Sequence, residues 1–91
     1  MKKLRINVSG RVQGVGFRYM TKMVADQLGV YGTVRNELDG SVTIEAIADN
    51  VTMEKFLTAV KNSPSPSGRV DNYKITEDPS IKDSLKFRVT H

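Results

Sequence analysis

The most constraining stretch of this 91-residue chain is Gly10-Arg11-Val12-Gln13-Gly14-Val15-Gly16-Phe17-Arg18, where one hydrophobic period ends and another begins. Before it, Leu4, Ile6 and Val8 alternate with Arg5, Asn7 and Ser9, the two-residue period of a strand with one buried face. After it, Met20, Met23, Val24, Gln27 and Leu28 recur at helical spacing, a stripe expected in the core, and Gly29 provides a stop. Glycine permits positive φ and close backbone approach, so the connecting turn can curl its N–H groups inward around an oxyanion. The helix lacks the usual start signals. No Ser, Thr, Asp or Asn stands just before Phe17, and no acid occupies Phe17, Arg18, Tyr19 or Met20. An arginine there opposes the helix dipole unless a bound anion supplies the negative partner. The turn therefore reads as an anion cradle.

The remaining segments follow in a regular order. Residues 30–37 predict a second strand, and Leu38-Asp39-Gly40-Ser41 is a strong hairpin signal. Residues 41–48 predict a third strand with Val42, Ile44, Ala46 and Ala48 on one face. Asp49-Asn50 caps a second helix, whose Met53, Phe56, Leu57 and Val60 form an amphipathic stripe. The Pro-, Ser- and Gly-rich residues 62–68 are loop, residues 70–76 a fourth strand ended by Asp78-Pro79, and Leu85, Phe87 and Val89 mark a short last strand. The order predicts an α+β fold, a ferredoxin-like βαββαβ sandwich with two helices on one face of a mostly antiparallel sheet and a short extra C-terminal strand. Residues 1–91 are expected to make a single domain, since this length suits one two-layer core.

Composition removes several chemistries. With no cysteine, disulfides, thiolate catalysis and Cys-ligated zinc are excluded, and a reducing, cytoplasmic setting is expected. No apolar run approaches a membrane span, so no membrane partner is expected. The net charge of +4 favours anionic partners but does not choose between small molecules and nucleic acid. No lysine follows the glycines as a P-loop requires, and the third glycine of a dinucleotide fingerprint would fall at Tyr19. The one histidine is His91, the last residue, so a histidine base or His-rich metal site is not expected. An enzyme built on this loop must work by electrostatic stabilisation and positioning.

Strand parity picks out a second residue. Gly32, Val34 and Asn36 share one face of the second strand, and Tyr31, Thr33, Arg35 and Glu37 share the other. With Val34 toward the helices, Asn36 places a covered amide at the strand end, and a buried amide needs partners. It can satisfy loop backbone near the turn, or it can hold a water beside the anion. On spacing alone the first reading prevails.

The Gly10–Arg18 segment resembles the signature of the acylphosphatase family. A second family element, glycine-aromatic-Val-x-Asn-x-x-x-Gly-x-Val, is approximated by residues 32–42, from Gly32-Thr33-Val34-Arg35-Asn36 to Gly40-Ser41-Val42. The resemblance spans essentially the whole chain. It implies metal-independent hydrolysis of a small-molecule acyl phosphate to carboxylate and inorganic phosphate, with no cofactor and with phosphate as product and inhibitor. It also implies that Arg18 and the amides of Arg11, Val12, Gln13, Gly14, Val15 and Gly16 bind phosphate, while Asn36 orients the attacking water. Two positions depart from the pattern: Thr33 replaces the aromatic, and Ala48 stands where glycine is common. Thr33 lies on the face opposite Asn36, so altered packing is expected there and not lost chemistry.

Other nearby residues receive plainer readings. Arg11 is expected to face solvent, Tyr19 to pack in preference to rimming the pocket, Lys22 to be a surface cation and Arg35 to be solvated. Arg69 reaches substrate only if the Pro-Ser loop folds over the site. The main rival is a non-catalytic module that binds RNA or a small anionic effector. Exposed aromatics for base stacking are missing from residues 4–9 and 41–48, so no nucleic-acid partner is expected. A monomer is the default assembly.

Overall fold

A computed structural model describes residues 1–90; the prediction for His91 lies outside the described residues. The elements run β1 (Lys2–Arg11), α1 (Phe17–Leu28), β2 (Tyr31–Asn36), β3 (Val42–Ala48), α2 (Asn50–Lys61), β4 (Arg69–Glu77) and β5 (Phe87–Thr90). The strands form one five-stranded sheet in the order β4-β1-β3-β2-β5. β1 pairs antiparallel with β3 and β4, and β2 antiparallel with β3, while β5 alone runs parallel to its neighbour β2. This is the expected ferredoxin-like arrangement with an added edge strand.

The period-2 pattern of β1 becomes burial. Leu4, Ile6 and Val8 are buried against Val34, Ile44, Met53 and Phe56 in one core, and the alternating polar residues stay partly exposed. β1 also outlasts its alternation, continuing to Arg11 through a register shift between Ser9 and Gly10. Gly10 has φ of 129°, and a Cβ there would lie 2.5 Å from the Arg69 carbonyl oxygen. Only glycine lets the two strands stay paired at that point, and the pairing delivers the chain to the start of the cradle.

The two helices have different contact rows. In α2 the predicted stripe holds: Met53, Phe56 and Val60 are buried, and Leu57 packs partly against the core. Phe56 meets Phe87 edge-on, with ring centroids 6.1 Å apart and planes at 63°. In α1 the expected stripe is rotated. Phe17, Thr21 and Ala25 form the buried row, Val24 and Leu28 flank it, and Met23 and Gln27 are exposed. The i, i+4, i+8 row contains the small residues Thr21 and Ala25, whereas a search for large apolar side chains selects the methionines on its flank. Gly29 ends α1 as predicted, in the left-handed region and donating its N–H to the Ala25 carbonyl at 2.9 Å.

The last strand also differs from expectation. Phe87 is buried and begins the parallel pairing with Gly32, but Leu85 lies outside the strand and is exposed. Ala48 is buried with no positive φ, so the departure from glycine costs nothing in backbone conformation. Thr33 falls on the face opposite Asn36, where its hydroxyl donates to a Glu45 carboxylate oxygen at 3.3 Å.

Candidate functional site

The cradle occupies the crossing from β1 to α1. Val12 and Phe17, both about 1% exposed, anchor its two ends in the core. Between them Gly14 and Gly16 take φ of 74° and 75°. Gly16 is the N-cap of α1 in the left-handed region, makes no side-chain cap, and is followed by a first turn without an acid. Its carbonyl accepts the first helical bond, from the Met20 N–H at 3.0 Å. The N–H groups ahead of Met20 have no acceptor within the helix, and no capping side chain supplies one.

Three hydrogen bonds tie this loop to its surroundings. The Gln13 side-chain amide donates to the carbonyls of Glu37 at 2.9 Å and Ser41 at 2.8 Å, where the β2–β3 hairpin opens. On the other side, the buried Ser65 hydroxyl donates to the Val15 carbonyl at 2.6 Å. Thus the Pro-Ser loop folds onto the cradle backbone. It does not carry Arg69 to the site, because Arg69 begins β4 opposite Arg11 and pairs with Asp71 at 2.7 Å.

Arg18 emerges from the first turn of α1 toward the end of β5, donating to the Thr90 carbonyl at 3.4 Å. Asn36 ends β2 on the same side of the strand as buried Val34, opposite Val42 of β3. Its hairpin is tightly closed: the Glu37 N–H donates to Ser41 at 2.8 Å, and Asp39 accepts from the Ser41 amide and hydroxyl at 2.9 and 2.6 Å. The Ser41 hydroxyl and then its amide hold the Asp39 carboxyl below its usual range. Asn36 Oδ1 is buried and has no hydrogen-bond partner among the described residues. Buried polar atoms almost always have one, and the Thr21 hydroxyl oxygen in α1 is the other such atom among the described residues.

These groups share one pocket of about 350 Å³. Its lining combines Gln13, Gly14, Gly16 and Arg18 from the cradle with Asn36, Tyr19 and the apolar Val12, Phe17 and Val89. A larger cleft of about 510 Å³ lies at the other end of the sheet. There Lys2 pairs with Glu77 at 3.6 Å, Lys3 bonds Asp83 and the Ile81 carbonyl, and Asp49 caps α2. Its charged side chains thus have partners within the chain, so the smaller pocket with its partnerless acceptor is the candidate site. No group of three or more metal-ligating side chains is found among the described residues.

Of the sequence-predicted residues, the fold brings Val12, Gln13, Gly14, Gly16, Arg18 and Asn36 together and leaves Arg11 and Val15 off the pocket lining. Arg11 is exposed, as expected, and Val15 packs partly against the core. Tyr19 corrects its packing assignment: it is 66% exposed and rims the pocket. Arg35 is not simply solvated, since it is two-thirds covered and lies 3.4 Å from Glu37. Lys22 is the expected surface cation, paired with Asp26 one turn on. Sequence reading missed Val89, which reaches the pocket through the parallel pairing of β5 with β2, a long-range contact with no local signal. The bracing contacts of Gln13 and Ser65 have no local sequence signal either.

Comparison with known proteins gives a consistent picture. The acylphosphatase family profile matches residues 4–89. The chain is 64% identical over 89 residues to an acylphosphatase of Enterococcus faecalis, covering 98% of each sequence. It is 51% identical over 88 residues to an acylphosphatase of Latilactobacillus sakei, covering 97% of this chain and 96% of that one. Among solved structures, the acylphosphatase from Bacillus subtilis superposes with a TM-score of 0.94 at 41% identity, covering all of both chains.

Proposed function

The chain belongs to the acylphosphatase family and is a hydrolase of acyl phosphates, and from that premise we propose that Arg18 and the cradle amides hold the phosphoryl group while Asn36 orients the attacking water. The single observation that carries this reading is the buried, partnerless Asn36 Oδ1 in the same pocket as Arg18 and the uncapped start of α1. One side of the pocket offers donors for phosphate oxygens. The other offers an acceptor for a water proton.

The chemistry needs little else. An acyl phosphate expels a carboxylate whose conjugate acid has a pKa of about 4, so departure requires no general acid. Negative charge spreads over the phosphoryl oxygens in the transition state, and a guanidinium fork with aimed N–H groups meets that charge without reorganising. Asn36 is not a base at neutral pH; its carbonyl accepts a hydrogen bond from one O–H of the water, whose proton stays on the attacking oxygen, and so fixes where the lone pair points. The water's other proton passes to a phosphate oxygen of the substrate. Inorganic phosphate, presenting the same oxygens, competes for the cradle.

The test is hydrolysis of benzoyl phosphate in EDTA by wild type, Arg18→Ala and Asn36→Ala. Rapid wild-type hydrolysis, competitive inhibition by phosphate and severe loss in both folded variants are expected. An Asn36→Ala enzyme as fast as wild type refutes the water-orienting role, and loss of wild-type activity in EDTA refutes the metal-independent mechanism.

A further inference from the structure

Gln13 belongs to the cradle in sequence, yet its side chain is engaged elsewhere. Both bonds from its terminal amide leave the cradle and end on the carbonyls of Glu37 and Ser41. A primary amide has two N–H donors, so this pair of contacts uses its whole donor capacity. The two acceptors stand at the mouth of the β2–β3 hairpin, and one of them belongs to the residue directly after Asn36. The same mouth is closed by the Glu37 N–H bond to Ser41, so the Ser41 carbonyl accepts from both Glu37 and Gln13. The cradle and the hairpin come from distant parts of the chain, and Gln13 bridges them directly beside the pocket.

We propose that Gln13 is a positioning residue, whose paired hydrogen bonds to the Glu37 and Ser41 carbonyls set the placement of Asn36 relative to the phosphate cradle. The proposal rests on the water-orienting reading of Asn36. Its physical basis is that a displacement of about 1 Å between reacting groups costs about 100-fold in rate, whereas the cradle amides and Arg18 take no part in these two side-chain bonds. Gln13 therefore acts on turnover through Asn36 and leaves phosphate binding nearly untouched.

The experiment is a double-mutant cycle. Gln13→Met keeps the length and removes the donors. Its kcat for benzoyl phosphate is expected to fall about 10- to 100-fold, while the inhibition constant for inorganic phosphate changes less than about threefold. In the Asn36→Ala background the same substitution is expected to change kcat less than about threefold, since the group it positions is already gone. Gln13→Glu supplies a second reading and serves if Gln13→Met does not fold. At neutral pH its carboxylate faces two carbonyls with no proton to donate, and below about pH 5 protonation restores one donor. Its activity relative to wild type therefore rises as the pH falls. Three results overturn the proposal: unchanged kcat in Gln13→Met, a loss of equal size in the Asn36→Ala background, or an equal loss of phosphate affinity. An Asn36→Ala enzyme with full activity removes the water-orienting reading itself and this proposal with it. An inactive Asn36→Ala beside an unimpaired Gln13→Met overturns only the role of Gln13.

Discussion

The two helices are each 12 residues long and contribute to the same core, but they begin in opposite ways. α2 starts on Asp49, whose carboxylate accepts the Thr52 N–H at 2.7 Å. α1 starts on Gly16 in the left-handed region, with no side-chain cap and with Arg18 in its first turn. A capped start settles its amides within the chain and adds stability. An open start leaves them for a ligand, and an anion there would also lie beside the Arg18 cation. Among the described residues the same helix also buries the Thr21 hydroxyl without a partner, a local cost not found in α2. The difference separates a helix start settled within the chain from one with no side-chain cap.

Substitutions at the two starts test this contrast. The largest effect is expected for Arg18→Ala, a loss of about 1000-fold or more in kcat/KM together with weakened phosphate inhibition, measured by steady-state kinetics. Asn36→Ala is expected to lower kcat about 100- to 1000-fold with a much smaller change in phosphate inhibition, because it removes an orienting group and no cradle donor. Tyr19→Glu places an acid in the first turn of α1. It should stabilise the helix by about 0.5 kcal/mol in urea unfolding and yet raise the KM, the opposite directions expected where stability and anion binding compete for one dipole. Asp49→Ala at the other helix is expected to lower the melting temperature by a few degrees and leave kcat/KM unchanged.

The smallest effect concerns acid. The Thr52 amide holds the Asp49 carboxyl below its ordinary value of 3.8, and the Ser80 hydroxyl followed by Arg5 does the same for Asp78. A carboxyl depressed in the folded state adds stability that is complete above the ordinary value and is lost as the pH falls through the depressed one. Urea midpoints of wild type should therefore decline below about pH 4, and Asp49→Ala should show a shallower decline.

The contrast between helix starts was legible from residue types alone. Asp49 at a cap and the bare sequence Gly16-Phe17-Arg18 predict what the backbone does, because capping depends on near neighbours. The strand order and the α2 stripe were legible for the same reason: period and turn chemistry are local. Contacts set by distant pairing were hidden. Thr21 and Ala25 face the core because α1 packs on a sheet whose geometry no helical window contains, and Tyr19 is consequently turned to the pocket rim. Val89 reaches the pocket only because β5 pairs with β2, and Ser65 braces Val15 across 50 residues of sequence. Parity alone brought Asn36 to the covered face but left its partner open between loop backbone and water. In the fold it is Gln13 that donates to the hairpin carbonyls, so the Asn36 amide is not what satisfies them, and its oxygen has no partner among the described residues.

The central claim is that the open start of α1, with Arg18, is an anion site. Thermal unfolding in inorganic phosphate, against chloride at matched ionic strength, tests it without relying on turnover. At phosphate tenfold above its dissociation constant, a native-state site adds about 1.4 kcal/mol. Wild type and Asp49→Ala should both melt higher in phosphate by similar increments, and Arg18→Ala should show little or no increment. An Arg18→Ala protein stabilised by phosphate as much as wild type would contradict the account.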